Sequence, residues 1–200
     1  MDKEYLVNQL WKMASQYKID LSPEILSEIA GISIFRVVKK GEMLAAIGDE
    51  TQKAGLILSG ITRCYYIDEN GHDITRGFSI AQTFCMDEGM FGYQERLTQW
   101  EALEETELML FDVKEMKKMI YELGQLKNVY LLFLENALRY KIYREHTFLV
   151  ENATERYLNF RKMYPEICAK VKQQYIATYL GITPESLSRI RKSMKETDLD

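Results

Sequence analysis

What most narrows the folds open to this chain is a change of texture near Val113. Between Gly31 and Phe111, apolar runs of four to seven residues alternate with turn signals. The runs are Ser33–Val38, Met43–Ile47, Gly55–Leu58, Ile61–Ile67, Ile74–Ile80, Trp100–Leu103 and Glu107–Phe111. Lys40-Gly41-Glu42, Gly48-Asp49, Ser59-Gly60 and Asp68-Glu69-Asn70-Gly71 punctuate them. Many short strands at this spacing predict a sandwich or barrel. Asn70-Gly71 is the strongest hairpin signal and predicts a type I′ turn, with positive φ at both central residues. After Val113 the strand signals stop: Val113–Tyr121 reads as a short helix ended by Gly124, and residues 126–150 run without Gly or Pro as one long helix. Ahead of the strands, residues 5–29 read as helix. Leu6, Leu10, Met13 and Ala14 keep a 3.6 spacing, and Ser22-Pro23-Glu24 supplies an N-cap followed by proline at the first helical position. The expectation is an α+β fold with an N-terminal double-stranded β-helix, or jelly roll.

Two hundred residues are enough to bury ~70% of the unfolded surface, so no disulfide or metal is needed for folding. Apolar residues at 46% and charged residues at 28% exclude a disordered or fibrous chain. The uncharged stretch Gly77–Met86 is ten residues long, against the ~20 that span a bilayer. Met1-Asp2-Lys3-Glu4 carries no apolar signal-peptide core. Cys64, Cys85 and Cys168 are odd in number and far apart, which fits reduced thiols and a cytoplasmic location.

The long helix is apolar on two sides. Leu126, Tyr130, Phe133, Ala137 and Tyr140 form one stripe; Leu131, Leu134, Leu138, Ile142 and Leu149 form a second. A helix with two apolar faces needs two partners. One is the β domain, and the other is the same helix of a second copy, unless one chain buries the helix entirely. The first stripe is expected to form the dimer seam. The expected segments are therefore 1–125 for the roll with its flanking helices, 126–150 for the dimerisation helix, and 151–200 for the C-terminal domain, whose first helix, Ala153–Met163, is capped by Asn152.

The charge is uneven. Residues 156–195 hold nine Lys/Arg and two carboxylates, a net of +7, while the rest carries 17 basic and 28 acidic residues, a net of −11. An acidic body with a basic tail places any polyanion contact at the tail. That tail contains Gln173–Lys192, QQYIATYLGITPESLSRIRK. A helix-turn-helix needs a small residue where its helices touch, a left-handed glycine at the turn, and apolar residues facing inward. Ala177 and Gly181 meet the first two needs, and Ile176, Leu180, Ile182, Leu187 and Ile190 the third. Thr183-Pro184-Glu185 opens the second helix with a hydroxyl cap, a proline and a carboxylate at the positive dipole end. Glu185, Ser186, Ser188, Arg189 and Lys192 are left on the outer face, with groups that suit base edges and phosphates.

In this order of parts the chain resembles the Crp/Fnr family, the cyclic-AMP receptor protein and its relatives. Lys40-Gly41-Glu42, Leu58-Ser59-Gly60, Asn70-Gly71 and Glu101-Ala102-Leu103-Glu104 are family-like phrases in the roll. The resemblance implies a bacterial, homodimeric transcription regulator with a cyclic-nucleotide-binding-like roll, partnered by double-stranded DNA and RNA polymerase. Glu185-Ser186-Leu187-Ser188-Arg189 is similar to the E-x-x-S-R signature of the Fnr branch. Carried over, Glu185, Ser188 and Arg189 read bases in a TGA-like half-site. Lys172, Gln173, Gln174, Thr183, Ser186 and Lys192 hold phosphates. Half-sites lie ~34 Å apart.

The chain departs from that pattern in three places. Cyclic-AMP binders carry Gly-Glu and Arg-Ser pairs; here the Arg-Ser place reads Arg96-Leu97, and the Gly-Glu place falls near Cys85-Met86. Cyclic AMP is not expected. Arg96 is either the receptor of a small organic anion, beside Leu97, Phe84 and Tyr93, or the ion-pair partner of Glu95 or Glu101. The thiols are too dispersed for an iron–sulfur cluster, His72 and His146 read as surface residues rather than haem ligands, and no cofactor or metal is expected. No β-hairpin wing is expected after Lys192, where the chain runs into Asp198-Leu199-Asp200. Two other classes compete. A cupin-like metal enzyme needs converging histidines, and two histidines 74 residues apart argue against one. A sensor module acting through a protein partner would show no salt-sensitive DNA affinity.

Overall fold

The structure, a computed structural model, describes residues 2–197, with side chains to Met194. Two helices open the chain, the second starting at the Ser22-Pro23 cap that the sequence marked. α1 (Lys3–Gln16) is capped by Asp2, whose carboxylate accepts from Glu4 N at 3.1 Å, and it buries Leu6, Leu10, Met13 and Ala14. The chain breaks at Lys18, which takes φ +55°. It restarts in α2 (Pro23–Gly31), where the Ser22 hydroxyl accepts from Ile25 N and Pro23 needs no hydrogen bond of its own.

The strands are β1 (Ser33–Val38), β2 (Met43–Ala45), β3 (Lys53–Ser59), β4 (Thr62–Ile67), β5 (Asp73–Ser79), β6 (Phe84–Cys85), β7 (Gln99–Ala102) and β8 (Thr106–Asp112). They form two four-stranded sheets, ordered β1-β8-β3-β6 and β2-β7-β4-β5. β8 lies between β1 and β3, antiparallel to both, with Phe35 opposite Met109 and Gly55 opposite Leu110. Two short pieces had no strong sequence signal: the two-residue β6, and a 3-10 helix over Glu88–Phe91. The hairpin between β4 and β5 is not a type I′ turn. Gly71 alone takes positive φ, at +81°, because the Asp68 carboxylate accepts from the amides of Asn70 and His72 at 2.9 and 2.8 Å and organises a longer loop. Those amide bonds, the one from His72 first, hold the Asp68 carboxyl below the usual aspartate range.

Helices follow: α3 (Val113–Glu122), α4 (Gly124–Val150), α5 (Ala153–Met163), α6 (Pro165–Lys170), α7 (Gln173–Leu180) and α8 (Pro184–Thr197). α4 begins at Gly124, which starts this helix rather than merely ending the one before it. α6 fills the segment after Pro165, where no helix was expected. By packing, the chain divides into two compact units. One is built of the chain up to Cys64 and of Phe78–Glu135; the other, of Tyr65–Gly77 and the chain from Asn136 on.

In the first unit, Leu6, Leu10, Met13, Leu26, Ile29, Leu56, Met109, Phe111, Met116 and Ile120 form the larger core, and a smaller one inside the roll gathers Val38, Ile57, Cys64, Cys85, Trp100 and Leu108. Here the expected dimer seam needs correction. Leu126 is a buried member of the larger core, and Tyr130 and Phe133 pack against it. The Tyr130 hydroxyl donates to Met90 O at 2.9 Å, and the Phe133 ring meets Phe84 edge-on at 4.7 Å. In the second unit, Tyr140 shares a hydrogen bond with Tyr179 at 3.1 Å, and Ala137 is half-buried. Most of the first stripe is thus spent within the chain. The second stays open: Leu131, Leu138, Ile142 and Leu149 are 50–77% exposed. Both stripes are apolar at the same spacing, so periodicity could not tell which one the chain would cover.

Candidate functional site

The second unit builds its turn from the residues the sequence singled out. Gly181 ends α7 in the left-handed region, at φ +68°, and its amide closes onto Thr178 O at 3.2 Å. Glycine is required twice over: a Cβ there would lie 2.7 Å from the Phe148 ring, and the backbone conformation disfavours one. Two arginines hold the end of α7. Arg144 on α4 donates to Tyr179 O at 2.6 Å, with its guanidinium 3.7 Å from that ring's centre. Arg156 on α5 donates to Leu180 O at 3.0 Å and to Glu151 O at 2.6 Å. The last carbonyls of a helix lack partners within it, so these charged donors complete it. Asn152 and Glu155 form a full capping box at the start of α5. Sequence reasoning missed Arg144 and Arg156, because nothing in their spacing marks them as partners of a turn 24 or more residues away.

α8 then presents the candidate contact groups. Leu187 is completely buried, as are Ile176 and Ala177 on α7. Glu185, Ser188, Arg189 and Lys192 are exposed, and Ser186 is half-buried. The Thr183 hydroxyl accepts from Ser186 N at 3.2 Å and also bonds the Ser186 hydroxyl at 3.1 Å, so both serve the helix cap while Thr183 remains at the surface. Glu185 is held below the usual glutamate range, chiefly by its own amide, with help from the Thr183 hydroxyl and the Arg189 charge. Lys172, Gln173 and Gln174 are exposed at the start of α7, and the Lys172 ammonium lies 5.7 Å from the Tyr175 ring centre.

The roll arranges charge the opposite way. After β6 the chain turns through Met86, at φ +53°, into the 3-10 helix that starts at Glu88. A Cβ at Gly89 would collide with Thr51 O, so glycine lets this helix sit hard against the entry to β3. Arg96 is pinned by backbone bonds to Asp49 O at 2.9 Å and from Gly48 N at 3.0 Å. Its side chain, 3% exposed, points inward. Nη1 donates to Glu88 Oε2 at 3.0 Å and Nη2 to Lys53 O at 2.6 Å, while the Thr98 hydroxyl donates to the other Glu88 oxygen. Glu88, also buried, had not been singled out. The partners expected for Arg96 are engaged elsewhere or absent from the pair: Glu101 bonds the buried Arg63 at 2.7 Å, and Glu95 lies in a backbone bridge to Glu50.

The four residues expected around an effector are also corrected. Phe84 packs in the aromatic core against Phe133 and Phe111, Arg96 faces Glu88, and Tyr93 and Leu97 sit half-exposed at the surface. An apolar ring and a desolvated ion pair are each stable only when enclosed, which separates Phe84 and Arg96 from the two surface side chains. Among the described residues, no group of three or more His, Cys, Asp or Glu side chains is placed to hold a metal ion, and no helix is long and apolar enough to cross a membrane. Cys64 and Cys85 are buried and belong to no disulfide, and burial pushes the Cys85 thiol far up.

Comparison with known proteins falls on the same parts. Residues 35–122 match the family model of the cyclic nucleotide-binding domain. No curated protein matches the chain by sequence. Among solved structures, the chain is similar to FixK2 from Bradyrhizobium japonicum, with 16% identity over 84% of this chain and 86% of that one, at a TM-score of 0.73. It is similar to the global regulator CLP from Xanthomonas campestris, with 14% identity over 84% and 89%, at 0.70. It is also similar to a chain described as a transcriptional regulator of the Crp/Fnr family from Eubacterium rectale, with 18% identity over 89% and 85%, at 0.70.

Proposed function

We propose that this chain, Crp/Fnr-like in fold and carrying a cyclic nucleotide-binding domain over residues 35–122, is a homodimeric, sequence-specific DNA-binding regulator of transcription. One observation carries the reading. α8 buries Leu187 and turns Glu185, Ser188 and Arg189 to solvent on a helix preceded by a glycine turn. Arginine forms two parallel bonds to guanine, and glutamate accepts from cytosine N4. Ser188 lies between them in sequence, and Lys172, Gln173, Gln174, Thr183 and Lys192, exposed, with Ser186, half-buried, would be the phosphate contacts. The exposed stripe Leu131, Leu138, Ile142 and Leu149 supports pairing with a second α4, which would present two reading heads to half-sites ~34 Å apart. The reading is that of a non-enzymatic, cytoplasmic protein.

Selection of bound DNA from random sequence tests it, with the mass of the protein measured in the same buffer. A two-fold symmetric site with a TGA-like half, bound by a dimer, is the expected result. Enrichment of no sequence overturns the proposal and favours a sensor that acts through a protein partner.

A further inference from the structure

The expectation that Arg96 receives a small organic anion leaves open what occupies it in the roll. We propose that the occupant is the chain's own Glu88, so that the roll is closed by an internal ion pair and takes no cyclic nucleotide. This rests on the roll being the sensor part of a Crp/Fnr-like chain.

The pair has no spare capacity for an incoming anion. A guanidinium recognises an anion through its donors, and here both terminal nitrogens are committed, one to Glu88 Oε2 at 3.0 Å and the other to Lys53 O at 2.6 Å. The carboxylate is equally committed, with its second oxygen taken by Thr98. Both side chains are at least 95% buried. The pair carries no net charge to attract a phosphate. An entering anion would have to displace Glu88, which would then be a buried carboxylate with no counter-charge. The surroundings reinforce the closure. Gly89 holds the 3-10 helix against Thr51, and Leu97, the residue after Arg96, has no hydroxyl and is half-exposed. The other buried guanidinium of the roll, on Arg63, is bonded to Glu101. A nucleotide's ribose and phosphate therefore find the Arg96 guanidinium and the Glu88 carboxylate already engaged.

Calorimetric titration of the full-length protein with cyclic AMP and with cyclic GMP, each to about 1 mM, tests this directly. The expected result is no saturable binding. Glu88→Gln keeps the shape of the side chain but removes its charge, leaving the Arg96 charge uncompensated and able to draw an anion. Its melting temperature should rise by ~4 °C or more on adding about 50 mM inorganic phosphate at constant ionic strength, while the wild type moves by less than ~1 °C. The double variant Glu88→Met with Arg96→Met removes both charges together. It should fold and show no phosphate response, and it carries the test if Glu88→Gln does not fold. Saturable binding of either nucleotide by the wild type below ~100 μM overturns the proposal. So does a phosphate response in the double variant, or its failure to fold. None of these measurements uses DNA. A protein that ignores both nucleotides and binds no operator refutes the reading of α8 and leaves this one standing.

Discussion

Two glutamate–arginine pairs, one in each unit, show how burial decides what a charge is for. Glu88 and Arg96 lie in the roll with their donors and acceptors spent on each other, on Thr98 and on the backbone. Glu185 and Arg189 lie one turn apart on α8, close enough for the arginine to help keep the carboxylate ionised, yet fully in solvent. The residue types are the same in both. The inner pair has lost its hydration and regains it only through a fixed partner, so it locks structure. The outer pair keeps its water and gives it up at little cost to an incoming base edge. On the proposed reading, the inner pair holds a shape and the outer pair is left to meet DNA.

The contrast can be broken at several points. Arg96→Met should produce the largest change, because it strands a buried carboxylate; a loss of ~3–5 kcal/mol is expected in urea unfolding. Ile142→Asp comes next. It places a charge in the exposed stripe of α4, so the mass in solution should fall from dimer to monomer with little change in helix content. Gly181→Ala should cost ~1–3 kcal/mol by strain at positive φ and by contact with Phe148, and should weaken DNA binding through the position of α8. Arg189→Ala should leave unfolding unchanged but lose ~1–3 kcal/mol of discrimination at a single base position. Lys172→Ala is the mildest, weakening all sequences alike and lowering the salt slope by about one unit.

How much of this was legible in the sequence follows from the same physics. The helix-turn-helix was readable because its constraints are local: Gly181 must be left-handed, Ala177 must be small, and Thr183-Pro184-Glu185 must open a helix. The strands of the roll were readable because turns bound them. The inner pair was not. Arg96 was visible as a charge, but its partner Glu88 sits in a 3-10 helix set against Thr51 by Gly89, and no sequence motif pointed to it. A glutamate eight residues before an arginine, with a threonine two residues after it, is a usable signal only once burial is known. The dimer seam failed for a related reason. Leu126 and Leu131 are the same residue type on one helix, and only their burial in the fold, 4% exposed against 50%, tells them apart. Likewise, Asn70-Gly71 marked the hairpin correctly, while its turn type was set by the Asp68 carboxylate two residues earlier. The expected acidic end, Asp198-Leu199-Asp200, lies outside the described residues; from Lys192 to Thr197 the chain continues as helix.

The central claim is that the outward pair reads DNA. Its most direct test is fluorescence anisotropy on the selected operator, across a salt series and with no nucleotide added, for wild type and Arg189→Ala. Affinity is expected to fall steeply with salt, by roughly one log unit per contacted phosphate per log unit of salt, and the variant should lose preference at one base while keeping the slope. Affinity indifferent to salt, or unchanged discrimination in the variant, would contradict it.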